Sequence, residues 1–387
     1  MELAARARRS RPSFGSARVR VVVVGLRGVV NMQGGIEMHA RMLYPLLARM
    51  GCDVEVIQRA PHFRNAARPR EWHGVKLKYF WSPTTPGLEA AVHTLLGVLY
   101  AAVTRPDILH LHAVGPGLLA PFARMLGLRV IVTHHAEDYR REKWGRLAKS
   151  VLKAGEWLGM RFAHRPIVVS EALKRSVAEK YGVDARLIPN GAPPGLRATS
   201  RKALEQFGLS AGAYVLCVAR IDMTKRQMDL IDAFERAALP APWKLVLVGA
   251  VDRANPYCAA VAERAAAGSR IVLTGLQSGK RLRELYSHCG LFVLPSSMEG
   301  HPIALLEALS YGVPVLASAI PENLALPIPR ERLFPVGDAA ELARLMRAAV
   351  EEGAQGSDEA RRIVRERYSW RRAARLTWLE YESALGR

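Results

Sequence analysis

Residues 292–318 read Phe-Val-Leu-Pro-Ser-Ser-Met-Glu-Gly-His-Pro-Ile-Ala-Leu-Leu-Glu-Ala-Leu-Ser-Tyr-Gly-Val-Pro-Val-Leu-Ala-Ser. The apolar run Leu291 to Leu294 has strand length, and Pro295 to Gly300 is turn chemistry. Pro302 suits the first helical position, where a missing N–H costs nothing, so a helix is expected from near His301. Its stripe Ile303, Leu306, Leu309 keeps helical spacing, Gly312 stops it, and Val313 to Leu316 starts another buried strand. A strand, turn, helix and strand in succession make one unit of a parallel α/β sheet.

Two carboxylates are left over once that core is accounted for. Glu299 lies just ahead of the helix and Glu307 eight residues later, at a rise of about 1.5 Å per residue, so both can flank one ligand lying along the helix start. Between them the free N–H groups of Ile303, Ala304 and Leu305, behind Gly300, offer a place for phosphate, helped by the positive end of the helix dipole. The structural alternative makes Glu299 a first-turn cap and Glu307 a solvated residue, but Glu307 sits beside the apolar stripe. The E-x7-E spacing, with Pro-Ser before it and Glu-Ala-Leu-x-x-Gly-x-Pro after it, resembles the signature of family 4 glycosyltransferases of the GT-B fold.

At 387 residues the chain is long enough for two domains with separate cores. No window of 18 apolar residues appears; the longest candidate, Leu88 to Val103, contains Glu89 and His93 and suits a packed helix. Residues 1–17 are arginine-rich without an apolar centre, and are expected to be a flexible basic tail rather than a secretory signal. Cys52, Cys217, Cys258 and Cys289 are far apart and lack metal spacing, as expected of reduced core residues in a cytosolic protein. The net charge of +21 is uneven: residues 1–190 hold 30 Lys and Arg against 14 Asp and Glu, and the remainder 26 against 21. A first domain that basic suits nucleic acid or an anionic membrane surface. With no zinc-finger spacing and no RNA-binding signature, nucleic acid is not expected as a partner and the membrane surface is.

Arg18 to Gly25 reads as a buried parallel strand, followed by a loop with Gly34 and Gly35 at the start of a helix bearing Leu43, Leu46 and Leu47. Further strands are expected at 53–58, 76–80, 108–112, 129–135, 166–170 and 185–190, with helical stretches between. Polar residues gather at and after the fourth of these, where strand ends face a crevice: His135, Asp138, Arg140, Arg141, Lys143 and Trp144. Residues 191–198 are a Pro/Gly linker, so the domains are 18–190 and 199–368. The second repeats the pattern, with strands at 214–219, 245–248, 271–274, 291–294 and 313–316. Arg220 and Lys225 lie on the loop after its first strand, and residues 369–387 read as an amphipathic helix.

The resemblance covers residues 18 to 384. Gly-x-Arg-Gly followed by Gly-Gly-x-Glu looks like the first domain of bacterial rhamnosyltransferase-like members, and Arg220-x4-Lys225 matches the family's cation pair. Gln33 stands where an aromatic residue is common, and Ala325 where relatives often carry an acid. The resemblance implies a GT-B fold of two Rossmann-like domains facing across a cleft, with the last helix crossing back to the first. It also implies retaining transfer of a sugar from a nucleotide-sugar to a hydroxyl, the acceptor being a lipid-linked saccharide in capsule, exopolysaccharide or O-antigen assembly. The donor contacts would be Gly34, Gly35, Arg220, Lys225, Glu299, Gly300, Ile303, Ala304, Leu305 and Glu307. His135 would lie at the reacting centre, and Glu37, Asp138, Arg140, Arg141, Lys143 and Trp144 on the acceptor side. No cofactor is implied, and with no Asp-x-Asp in the chain no metal is expected. A sugar-nucleotide epimerase or hydrolase, or a basic nucleic-acid-binding protein, are the alternatives.

Overall fold

The computed structural model describes residues 18–30, 32–64, 67–85, 87–142 and 144–387. Lys143 and the tail expected over residues 1–17 lie outside them. The first half runs β1 (Arg20–Val24), α1 (Gly35–Arg49), β2 (Asp53–Arg59), β3 (Glu71–Trp72), β4 (Val75–Phe80), α2 (Leu88–Thr104), β5 (Ile108–His112), α3 (Val114–Gly117), α4 (Ala120–Met125), β6 (Val130–His134), α5 (Arg146–Phe162), β7 (Arg165–Val168), α6 (Glu171–Tyr181) and β8 (Arg186–Leu187). The strands form one sheet in the order β3-β4-β2-β1-β5-β6-β7-β8, parallel except at the β3 edge.

Both faces of this sheet are covered, which is why β1 shows no polar alternation. Val21 and Val23 point into a core with Leu43 and Leu47 of α1, whereas Val22 and Val24 point into another with Val98 of α2 and Met160 of α5. Fully burying each such side chain is worth about 1.5–3 kcal/mol relative to exposure. Helix starts follow local chemistry: the Ser170 hydroxyl accepts from Leu173 N–H at 3.3 Å to cap α6.

The second half runs α7 (Lys202–Gln206), β9 (Tyr214–Val218), α8 (Gln227–Ala237), β10 (Lys244–Val248), α9 (Pro256–Ala267), β11 (Ile271–Gly275), α10 (Gly279–His288), β12 (Leu291–Leu294), α11 (Ile303–Ser310), β13 (Val315–Ser318), α12 (Pro321–Leu324), β14 (Leu333–Phe334), α13 (Ala339–Glu351), α14 (Asp358–Arg367) and α15 (Trp370–Leu385). Its all-parallel sheet has the order β11-β10-β9-β12-β13-β14. The strand order reverses between β9 and β12, and ligands bind at such a crevice in open α/β sheets.

The chain passes between the halves twice, side by side: Ala192 bridges Ser369, and Ala192 N–H donates to Tyr368 O at 2.7 Å. Past that point α15 returns to the first half. Trp370, Ala374, Trp378 and Tyr381 join the core of β1 and α1, and Arg165 pairs with Glu380 at 2.6 Å. The two-sheet GT-B architecture and its crossing helix are as expected. Pro302 is not at the first helical position, however. Its φ of −77° and ψ of 90° make it the cap of α11, because the turn through His301 has not yet become helical. The strand expected over 185–190 shrinks to two residues, and the β3 edge was not foreseen. All four cysteines are buried and free.

Candidate functional site

The carboxyl ends of β9 and β12 face those of β1 and β6 across a cleft, and the polar residues gather there. The first α11 bond runs from Leu306 N–H to Pro302 O at 3.1 Å, leaving the N–H groups of Ile303, Ala304 and Leu305 outside the helix ladder. Glu299, on the turn before α11, pairs with Lys225 Nζ at 2.6 Å, with 11% and 15% of the two side chains exposed. Lys225 ends a short 3-10 turn, Met223–Lys225, that Asp222 caps by accepting from Thr224 N–H at 3.0 Å. Ser297 N–H donates to Thr224 O at 2.9 Å, so the loop after β9 and the turn before α11 are locked together.

Arg220 is held by its backbone, whose carbonyl accepts from Gln227 Nε2 at 2.7 Å. Burial works against its charge, as do the nearby guanidiniums of Arg141 and Arg27, against the pull of Asp222 and Glu37. Cations held close despite that cost want an anion between them. At the other end of α11, Tyr286 OH donates to Glu307 Oε2 at 2.9 Å, and burial pushes the Glu307 carboxyl up to about 7. It is therefore able to donate as well as accept near neutral pH.

From the first half, His135 follows β6 directly. A Cβ on Gly300 would lie 1.6 Å from His135 O, so only glycine lets the signature turn close on that backbone. His135 Nε2 and His112 Nδ1 share a hydrogen bond of 2.8 Å, and the His39 ring centroid lies 4.8 Å from that of His135. Asn190 Oδ1 accepts from His39 Nδ1 at 2.7 Å. Burial first, and then neighbouring imidazoles, push His112 and His135 well below the usual histidine range; burial lowers His39 to about 4. All three are neutral at pH 7. Among the described residues, His39, His112 and His135 are the group whose ligand atoms, within 4.8 Å of one another, could hold a metal ion. No spacing in the sequence singled out this triad, whose members are 23 to 96 positions apart and meet only through α1, β5 and β6.

Gly34 caps α1 at φ 157°, and a Cβ on Gly35 would meet nothing within 4 Å, so the backbone there is open to the cleft. Glu37, expected on the acceptor side, is buried and pairs with Arg27 at 2.9 Å. Burial pushes its carboxyl up, but the charge and hydrogen bond of Arg27 outweigh that and hold it below its ordinary value. Asp138 pairs with Arg141 at 2.9 Å, and the more exposed Arg140 with Glu137 at 2.5 Å. Trp144 stands beside Gly87 at the start of α2. Gln33 takes up the absent aromatic's place with a contact of its own, Oε1 accepting from Ala250 N–H of the second half at 3.1 Å. Sequence reasoning also missed Arg27, Asn190 and Glu322. Burial first, then the nearby Glu299, raises the Glu322 carboxyl.

Two facing α/β halves with cations and a free helix start on one side, and buried histidines on the other, define the GT-B class of glycosyltransferase. Residues 33–195 match Glycosyltransferase Family 4, and residues 201–370 match Glycosyl transferases group 1. Together these span most of the chain, which belongs to the family 4 glycosyltransferases. Among curated relatives, sulfoquinovosyl transferase SQD2 of Arabidopsis thaliana is 26% identical over 70% of this chain and 55% of its own length. The putative teichuronic acid biosynthesis glycosyltransferase TuaC of Bacillus subtilis is 25% identical over 56% of this chain and 54% of its own. The chain thus spans just over half the length of these two; for the D-inositol 3-phosphate glycosyltransferase of Xylanimonas cellulosilytica, 25% identical, the shares are 74% and 76%. Of solved structures, sucrose-phosphate synthase from Thermosynechococcus elongatus superposes with a TM-score of 0.81 at 21% identity, over 95% of this chain and all of that one. Anabaena HepE, solved with UDP and glucose, gives 0.75 at 18% over the same shares. These likenesses establish the fold.

Proposed function

We propose that this protein transfers a sugar from a nucleotide-sugar donor to a hydroxyl acceptor with retention at the anomeric carbon. The observation that carries the reading is the Lys225–Glu299 pair at the mouth of α11, facing His135. On this reading Arg220, Lys225 and the N–H groups of Ile303, Ala304 and Leu305 neutralise the diphosphate as it leaves, and Gly34 and Gly35 let it approach. Glu299 takes the sugar hydroxyls, and Glu307 the ribose. His135, neutral and fixed through His112, meets the sugar at the reacting centre. Because cations stand where a metal would otherwise be needed, the transfer requires none.

The acceptor in this proposal is a lipid-linked saccharide, met by Asp138, Arg140, Arg141 and Trp144 in the assembly of a capsule, exopolysaccharide or O-antigen, and the sugar is of the rhamnosyl or hexosyl type. Among the described residues no helix is long and apolar enough to cross a membrane. The basic first half would rest on the anionic inner face of the cytoplasmic membrane. That a structural neighbour was solved with UDP-glucose supports the donor class. A melting screen against UDP, GDP, dTDP and their sugars tests the reading: a ligand at about 100 times its dissociation constant adds roughly 2.7 kcal/mol. No shift with any of them would refute it, and a shift names the donor for transfer assays.

A further inference from the structure

Helices α2, α4 and α5 cover one face of the first sheet, and their inner sides meet in one core: Val98 and Ala101, Ala120 and Ala123, and Met160 all pack with Val22, Val24 and Val132. Their outer sides therefore look out from the same face of the protein. On α2 that outer side is a row of Leu88, Leu95, Leu99 and Val103, with Val103 83% exposed. The one charged residue of α2, Glu89, is held by Arg59 at 3.3 Å and His62 at 2.5 Å, so the row is apolar from end to end.

On α5 the corresponding row is Leu147, Val151 and Trp157, with Leu147 80% exposed. Arg146, Lys149, Lys153 and Arg161 flank it, and the single carboxylate of the helix, Glu156, is turned inward onto His134, Tyr139 and Tyr181. Nothing on this helix's outer side offsets its positive charge. A basic helix with leucine and tryptophan on its remaining side is the pattern that lies in a bilayer interface. Helices in such a sheet begin at the carboxyl ends of the strands, so Leu88 and Leu147 mark the cleft edge. The loop carrying Arg140 and Arg141 leads from His135 to that edge.

We infer that the outer face of α2 and α5 is the surface on which this protein sits on an anionic lipid bilayer. The apolar rows enter the headgroup region, the α5 cations meet lipid phosphates, and the mouth of the cleft opens at bilayer level. The inference rests on the reading of the acceptor as lipid-linked, and charge selects the occupant. Anionic lipid complements four cations that no carboxylate among the described residues pairs, Lys153 resting only over the Tyr139 ring at 5.6 Å, whereas a second copy would bring like charges together.

The full chain is sedimented with phosphatidylcholine vesicles, with and without about a third phosphatidylglycerol. It should pellet with the anionic vesicles alone, and release as salt rises. Leu95→Glu/Leu99→Glu and Leu147→Glu/Trp157→Glu should each weaken partition at least tenfold, and Lys149→Ala/Lys153→Ala roughly 25-fold, about fivefold per cation. Leu276→Glu, at an exposed leucine of the second half, should leave binding unchanged. Circular dichroism and nucleoside-diphosphate melting shifts check that each variant is folded. Anionic-vesicle binding insensitive to both leucine pairs would overturn this surface while leaving the membrane reading in place. Absence of vesicle binding in a chain that still transfers sugar to a water-soluble saccharide would overturn the surface and leave the transferase reading intact. A dimer in solution that the leucine pairs dissolve would also overturn it, assigning the face to a second copy.

Discussion

Lys225→Ala is the perturbation that separates a catalytic cation from a structural one. Lys225 Nζ lies 2.6 Å from Glu299 Oε1, and little of either side chain is exposed. If the ammonium stabilises charge on the departing diphosphate, its loss costs about 2.7 kcal/mol in the transition state, or roughly 100-fold in rate. A second effect acts on the folded state, since Glu299 is left without its partner. Breaking a fully buried pair costs about 3–5 kcal/mol and an exposed one about 0.2–1, and the residual exposure here places the cost at ~1–2 kcal/mol. Lys225→Ala should therefore melt lower than wild type, and Lys225→Ala/Glu299→Ala should recover part of that loss. Initial rates at saturating donor, with melting curves of both singles and the double, make the assay. Glu299→Ala should lose most transfer yet keep nucleoside-diphosphate binding. A Lys225→Ala rate within about threefold of wild type would refute the electrostatic assignment, since that is under 1 kcal/mol.

Transfer should survive excess EDTA, and activity abolished by EDTA and restored by magnesium or manganese would overturn the metal-free mechanism. The Glu307 carboxyl, raised by burial to about 7, binds its proton more tightly folded than unfolded, so its contribution to stability is present below the unfolded value and fades as pH rises toward 7. Against Glu307→Gln, wild type should therefore lose ~2 kcal/mol of relative stability between about pH 4.5 and 7, read as a converging or crossing pair of melting curves. Gly300→Ala should cut transfer by about 100-fold or more, because a methyl group 1.6 Å from His135 O must push the signature turn off the first half. Nucleoside-diphosphate binding, which on the proposed reading is carried mainly by Arg220, Lys225 and Glu307 of the second half, should fall far less than transfer in that variant.

What the sequence made legible was local. The spacing from Glu299 to Glu307, the apolar stripe between them and the strands on either side all lie within 27 residues, where helical and strand periods determine neighbours. The offset of one residue at Pro302 shows the limit of that reasoning: a proline suits both the first helical position and the residue before it, and only the backbone decides. The histidines were of another kind. His135 could be singled out at a strand end, but His39 and His112 reach it from another helix and another strand, and no spacing predicts such a meeting. Glu37 and Arg27 are similar. Each looks like an available charge in the sequence, and their pairing depends on how the loop between β1 and α1 folds back.

The return of α15 bears on how parts of such proteins are exchanged. Trp370, Trp378 and Tyr381 complete the core around β1, and Arg129 Nη1 donates to Ala384 O at 2.5 Å. During synthesis the first half consequently waits for residues 370–385 to leave the ribosome before its interior is whole. A chimera that swaps donor preference between relatives should cut twice, at the paired crossing of Ala192 and Ser369, and keep residues 370–385 with the amino-terminal half. A single cut at the linker would pair the β1 core with a foreign closing helix, and the hybrid should fail in folding before its specificity could be read.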